Sequence, residues 1–223
     1  MHWKIFDIVG PVMIGPSSSH TSGAVRLGLL ANKIIGGIPD KALIYLHGSY
    51  AQVYKGHGTD ISLVAGLLGI SPDDENMINA FKLASKAGLD FQIATIDLGD
   101  EYHSNTVKFV LTKNENEIEL IGSSIGGGNV EIVEINGIKT ASLNGKSNVL
   151  ITFQEDKAGV IANIAGILSK FEINIGSMNT TRNHKGGEAL TIYNLDNPVK
   201  SDIQKQINHT QNIRWVRTLP KLY

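Results

Sequence analysis

The sequence predicts an α+β protein in two domains, an irregular α+β domain over residues 1–144 and a ferredoxin-like βαββαβ module over residues 148–223. Three observations predict it. The apolar residues beyond position 148 alternate between strand and helical spacing in the order βαββαβ. The segment Asn144-Gly145-Lys146-Ser147-Asn148 has no apolar residue and separates two strand-like runs, which makes it a domain boundary. Before that boundary, helical and strand-like runs mix without a regular βα alternation.

In chain order, a polar run over residues 15–23 leads into an apolar-periodic helix over 24–35, followed by a strand over 42–47. A second helix runs through Ile61, Leu63, Val64 and Leu67, and a third covers 75–87. Residues 91–96 read as a strand, and 105–143 as a meander with turns at Asn114-Glu115-Asn116 and Asn136-Gly137. In the module, 149–154 is β-branched and apolar, Asp156-Lys157-Ala158-Gly159 is a turn, and Val160, Ile161, Ile164, Ala165, Ile167, Leu168 and Phe171 recur at helical spacing. Strands over 173–181 and 188–195 flank the turn 183–187. Asp196-Asn197-Pro198 starts a helix whose apolar stripe is Val199, Ile203 and Ile207, and 213–219 closes the module as a strand. Two helices then cover one face of a four-stranded antiparallel sheet.

Composition narrows the function. The 223 residues carry 20 Lys+Arg against 21 Asp+Glu, a formal charge of -1, so no general electrostatic attraction to nucleic acid or anionic membrane is expected. Apolar residues are interrupted every few positions, so no run of about 18 spans a bilayer. Met1-His2-Trp3-Lys4 does not open a secretory signal, and the cytoplasm is the expected location. There is no cysteine, which excludes disulfides, a cysteine nucleophile and thiolate ligation of zinc or iron-sulfur by this chain.

Two clusters carry the candidate chemistry. Gly15-Pro16-Ser17-Ser18-Ser19-His20-Thr21-Ser22-Gly23 sets three consecutive hydroxyls and a histidine before a helix. That is either an anion cradle of hydroxyls and backbone N–H groups or a capped, Gly-rich loop. Lys55-Gly56-His57-Gly58-Thr59-Asp60 sets a histidine between two glycines, again before an apolar helix. It is either a surface where another group approaches closely or an ordinary turn capped by Asp60. With an ordinary value near 6.5, two such imidazoles suit base and acid work. Gly126-Gly127-Gly128 does not open a helix after a strand and reads as a meander loop. His2, His47, His103, His184 and His209 show no paired ligand spacing. No metal site is expected.

Together, the Ser17-Ser18-Ser19-His20-Thr21 run, the Lys55 to Asp60 run and the C-terminal βαββαβ module resemble the β chain of the bacterial two-subunit, iron-sulfur-dependent L-serine dehydratase. The resemblance spans essentially the whole chain. Its N-terminal part resembles the allosteric-substrate-binding type domain also found in some D-3-phosphoglycerate dehydrogenases, and its C-terminal part resembles the ACT regulatory domain. The resemblance implies a lyase that eliminates water from L-serine to give pyruvate and ammonia, with a 4Fe-4S cluster ligated by a separate α chain. It implies His20 and His57 for proton transfer, either of them the base. It further implies Ser17, Ser18, Ser19 and Thr21, with Lys55, Gly58, Thr59 and Asp60, for substrate binding. Self-association through the ACT module is also implied, as is a ligand loop of Asp156, Gly159, Val160 and Ile161. That loop departs from the family's Asp-x-Pro-Gly by having Ala158 in place of Pro. A competing reading is a non-catalytic amino-acid-sensing subunit of a partner enzyme. A pyridoxal-phosphate dehydratase is disfavoured for want of a lysine in a phosphate-binding glycine context.

Overall fold

The computed structural model describes residues 12–223, so the Met1-His2-Trp3-Lys4 reading lies outside the described residues. Two compact units divide the chain between Asn136 and Gly137.

In the first unit, Ser18–Ser22 form one wide turn that continues into α1 (Gly23–Ile35). Ala24, Val25, Leu27, Leu30, Ala31 and Ile34 are fully buried along that helix. It ends where Gly36 turns left-handed. Then follow β1 (Lys41–Gly48), α2 (Ser49–His57), α3 (Thr59–Leu67), a tight turn over Glu75–Asn79, α4 (Ala80–Ala87) and β2 (Asp90–Thr95). The meander of β3 (Asn105–Lys113), β4 (Asn116–Gly126) and β5 (Asn129–Ile135) closes the unit, and β6 (Ile138–Leu143) follows in the second. Within the first unit the sheet order is β2-β1-β3-β4-β5, with β1 and β2 parallel. The β5–β6 turn has positive φ at both Asn136 (50°) and Gly137 (74°), as the Asn-Gly pair predicts.

Helices α1 and α3 meet almost backbone to backbone. A Cβ on Gly28 would lie 2.4 Å from the Leu63 carbonyl oxygen, and one on Gly66 would lie 2.1 Å from that of Val25. Glycine is therefore required at both crossing positions. Asn32 of α1 donates from Nδ2 to the Leu67 carbonyl at 2.7 Å and so ties down the end of α3.

Two expectations are corrected in this unit. Residues 75–87 are not one helix. Asp74 accepts from the backbone N–H of Asn76 at 2.8 Å and starts a tight turn, and the α-helix begins only at Ala80. His57, read as lying on a surface or in a turn between two glycines, instead ends α2, which residues 49–57 form. Tyr50 is its only buried side chain, so it has no apolar stripe by which periodicity could reveal it.

The second unit has the predicted order: β7 (Asn148–Glu155), α5 (Val160–Lys170), β8 (Ile175–Arg182), β9 (Glu188–Leu195), α6 (Ser201–Asn208) and β10 (Ile213–Leu219). Its antiparallel sheet runs β10-β7-β9-β8. Leu150, Tyr193 and Val216 pack with Val160, Ile164 and Leu168 of α5 and Ile203 and Ile207 of α6 in one core. Helix α6 starts at Ser201 rather than at Pro198. Among the described residues, no helix is long and apolar enough to cross a membrane.

Candidate active site

The two histidine motifs converge in the first unit. Ser17 is extended at φ -141°, and its Oγ accepts the backbone N–H of His20 at 3.2 Å. That cap bends residues 18–22 into the wide turn and brings Oγ within 3.4 Å of His20 Nδ1. Opposite, β1 ends at Gly48, whose φ of +58° and 2.5 Å Cβ approach to the Ser104 carbonyl oxygen admit only glycine. The reversal there begins α2 with Ser49, and Ser49 Oγ lies 3.2 Å from His20 Nε2. The next residue, Tyr50, is fully buried. Its hydroxyl donates to the Ser19 carbonyl at 2.8 Å, and its ring meets His20 edge-on at 5.4 Å.

His57 occupies the last turn of α2, not a glycine loop. Its Nδ1 lies 3.4 Å from the Val53 carbonyl one turn back. Gly58, left-handed at φ +66°, then redirects the chain into α3. The imidazoles of His20 and His57 lie 4.9 Å apart, centre to centre, tilted by 35°. Thr21 links the motifs by donating its hydroxyl to the His57 carbonyl at 3.4 Å. Burial, and secondly the neighbouring His57, hold the His20 pKa below its ordinary 6.5, so its ring is neutral at neutral pH. Burial pushes the Tyr50 hydroxyl well above its ordinary range, so it acts there as a neutral donor.

A cavity of about 220 Å³ opens beside His57, lined among others by Gly15, Thr21, Gly58, Ile61 and Met77. Its mostly apolar wall lowers the local dielectric around the imidazole. The remaining expected site residues take different positions. Ser18 and Ser19 lie half-buried within the turn. Thr59 is fully buried and its hydroxyl has no hydrogen-bond partner. Asp60 Oδ1 accepts from the Ile61 N–H at 2.9 Å, an ordinary helix-start contact. Lys55 is exposed, its Nζ 5.8 Å from the centre of the Tyr54 ring.

In the second unit, Gly159 is left-handed at φ +89° before α5, Val160 is buried in the core and Ile161 is half-buried. The Asp156 carboxylate is already engaged, accepting from Arg182 at 2.8 Å and from the Gly186 N–H at 3.0 Å. Those two contacts, the Gly186 N–H foremost, hold its pKa below the usual carboxylate value.

Sequence reasoning missed Ser49 and Tyr50. The one available signal was Gly48 at the end of a strand, directly before a hydroxyl residue.

The residues present do not fit an iron-sulfur cluster as a group held by this chain. There is no cysteine, and among the described residues no group of three or more His, Asp or Glu converges as a metal site.

The family model described as "Serine dehydratase beta chain" matches residues 4–134, more than half of the chain and both histidine motifs. The chain belongs to that family. A "Probable L-serine dehydratase, beta chain" from Bacillus subtilis (strain 168) is 40% identical over 210 residues, 94% of each chain. The "L-serine dehydratase, beta chain" of Peptoniphilus asaccharolyticus is 40% identical over 206 residues, 92% of each. A D-3-phosphoglycerate dehydrogenase from Synechocystis sp. is 25% identical over 88% of this chain but only 35% of its own length. As an L-serine dehydratase β chain, the protein is a subunit of a lyase, and the paired histidines sit in the part that the family model covers.

Proposed function

We propose that this chain supplies the proton-transfer half of an L-serine dehydratase active site that a separate α chain completes, for conversion of L-serine to pyruvate and ammonia. The observation that carries the reading is the His20–His57 pair, 4.9 Å apart beside a cavity. A base must take the α-proton as the β-hydroxyl leaves. Loss of water gives aminoacrylate, which tautomerises and takes up water to release ammonia and pyruvate.

His57 fits the base. With its Nδ1 N–H turned to the Val53 carbonyl, the lone pair sits on Nε2, and the residue borders the cavity. His20 lies behind it and stabilises or relays the proton. The hydroxyl turn of Ser17, Ser18, Ser19 and Thr21 receives the substrate carboxylate, and the segment from Lys55 through Gly58, Thr59 and Asp60 borders it. Thr21 and Gly58 at the cavity wall support that assignment. A 4Fe-4S cluster, in this proposal, belongs to the α chain, and no step assigned to these residues passes through it. The module over residues 148–223 self-associates, and its Asp156 loop contributes little to amino-acid binding because the carboxylate is already engaged.

The test is pyruvate formation by the complex of this chain with its α chain. His57→Ala and His20→Ala should each lower kcat by about 10² to 10⁴, the usual scale for a lost general acid or base. If both variants keep normal kcat and alter only KM, proton transfer lies in the α chain and the reading fails.

A further inference from the structure

We infer that Ser49 is the positioning residue of His20: its hydroxyl holds the ring at Nε2 and thereby fixes the distance and tilt of His20 relative to His57. The inference rests on the proton-transfer reading of the two histidines and adds a residue that neither sequence motif contains.

Both nitrogens of His20 face a serine hydroxyl, Ser17 at Nδ1 (3.4 Å) and Ser49 at Nε2 (3.2 Å). Ser17 Oγ accepts the backbone N–H of His20 and keeps a second lone pair and its own proton for Nδ1, and the Ser49 hydroxyl can likewise donate to or accept from Nε2. The neutral ring therefore engages both serines in either tautomer. When His20 takes a second proton, both ring nitrogens donate and both hydroxyls accept. Ser49, at the shorter distance, holds the ring at the nitrogen that Ser17 does not reach, and its bond strengthens when the ring is charged.

The backbone supports this role. Ser49 follows Gly48, where any side chain would strike Ser104, and precedes Tyr50, whose fully buried ring and hydroxyl lock α2 to the carbonyl of Ser19. A hydroxyl fixed on both sides by such contacts has little freedom to swing away. Among the described residues, the titratable groups acting on His20 are His57 and Tyr50, both on α2, and Tyr50 stays neutral. Movement of α2 would thus carry the ring's partner Ser49, its packing surface Tyr50 and His57 together.

The experiment compares Ser49→Ala and Ser49→Thr in the complex with the α chain, and follows the His20 ring by NMR in the β chain alone. Ser49→Ala should lower kcat about tenfold with KM for L-serine within about twofold, and Ser49→Thr should recover most of the loss. In a His20→Ala background, Ser49→Ala should cause no further loss, since the group it positions is absent. By NMR, Ser49→Ala should move the His20 titration further down in pH, because the charged ring loses its acceptor. Wild-type kcat in Ser49→Ala, an equal loss in the His20→Ala background, or an unmoved His20 titration would each overturn the inference. If His20→Ala alone leaves kcat unchanged, the proton-transfer reading of His20 fails, and the NMR titration still decides whether Ser49 holds the ring.

Discussion

Protonation of His20 is opposed both by burial of its ring and by a second imidazole 4.9 Å away. Its folded-state pKa lies below the ordinary 6.5, so as pH falls the unfolded chain binds the proton first. The stability contribution is complete above about pH 6.5 and is lost as pH falls through the lower folded-state value. His20→Gln should therefore flatten the loss of stability between neutral and acid pH, as measured by urea unfolding at several pH values. An unchanged slope would show that His20 does not contribute to it. Thr59 gives a second test at this scale. Its hydroxyl is fully buried without a partner, so the near-isosteric Thr59→Val should raise stability by about 1 kcal/mol or more, read as a higher urea midpoint. The sequence exposed His20 and His57 because each sits in a dense run of Gly, Ser and Thr. Ser49 lies outside both runs and 29 residues from its partner, with Gly48 before it as the only local sign.

Among the elements, α1 and α3 were legible because their buried apolar residues recur at helical spacing, whereas α2, with Tyr50 alone buried, offered nothing to read. Their glycines are not equivalent. Gly28→Ala or Gly66→Ala would press a methyl onto backbone atoms of the facing helix, which cannot rotate aside. Each should cost about 3 kcal/mol and, by shifting α3 against the turn that carries His20, lower kcat as well. At Gly56, within α2, an added methyl would meet nothing within 4 Å, and the backbone there has no positive φ. Gly56→Ala should instead stabilise the chain by about 0.5–1 kcal/mol through helix propensity. Thermal unfolding of the three variants orders them. A Gly66→Ala protein as stable as wild type would refute the tight crossing.

At the scale of the whole molecule, the absence of cysteine predicts that the chain purified alone is colourless, iron-free and inactive, gaining activity only with its α chain. Stoichiometric iron-sulfur absorbance in the isolated chain would refute this. The ferredoxin-like order was readable because each of its runs keeps one period and ends at a polar turn. In the first unit, the sheet order was not readable, because β1 pairs with β2 and β3, both far along the chain. A fragment over residues 148–223 keeps the shared core of α5 and α6 but presents the unpaired edge of β8, where Met178 is already exposed. It should self-associate in sedimentation and show weak or no heat on titration with L-serine. A monomer at all concentrations, or tight saturable binding, would refute these respective expectations. The α1–α3 crossing also bears on the timing of motion. With no side chain between Gly28 and Gly66, the helices cannot slide apart by rotamer changes, and the turn carrying His20 and the segment following His57 are attached to opposite sides of that contact. Backbone amides at the crossing should therefore exchange with deuterium only through global unfolding, while the exposed end of α2 exchanges by local fraying.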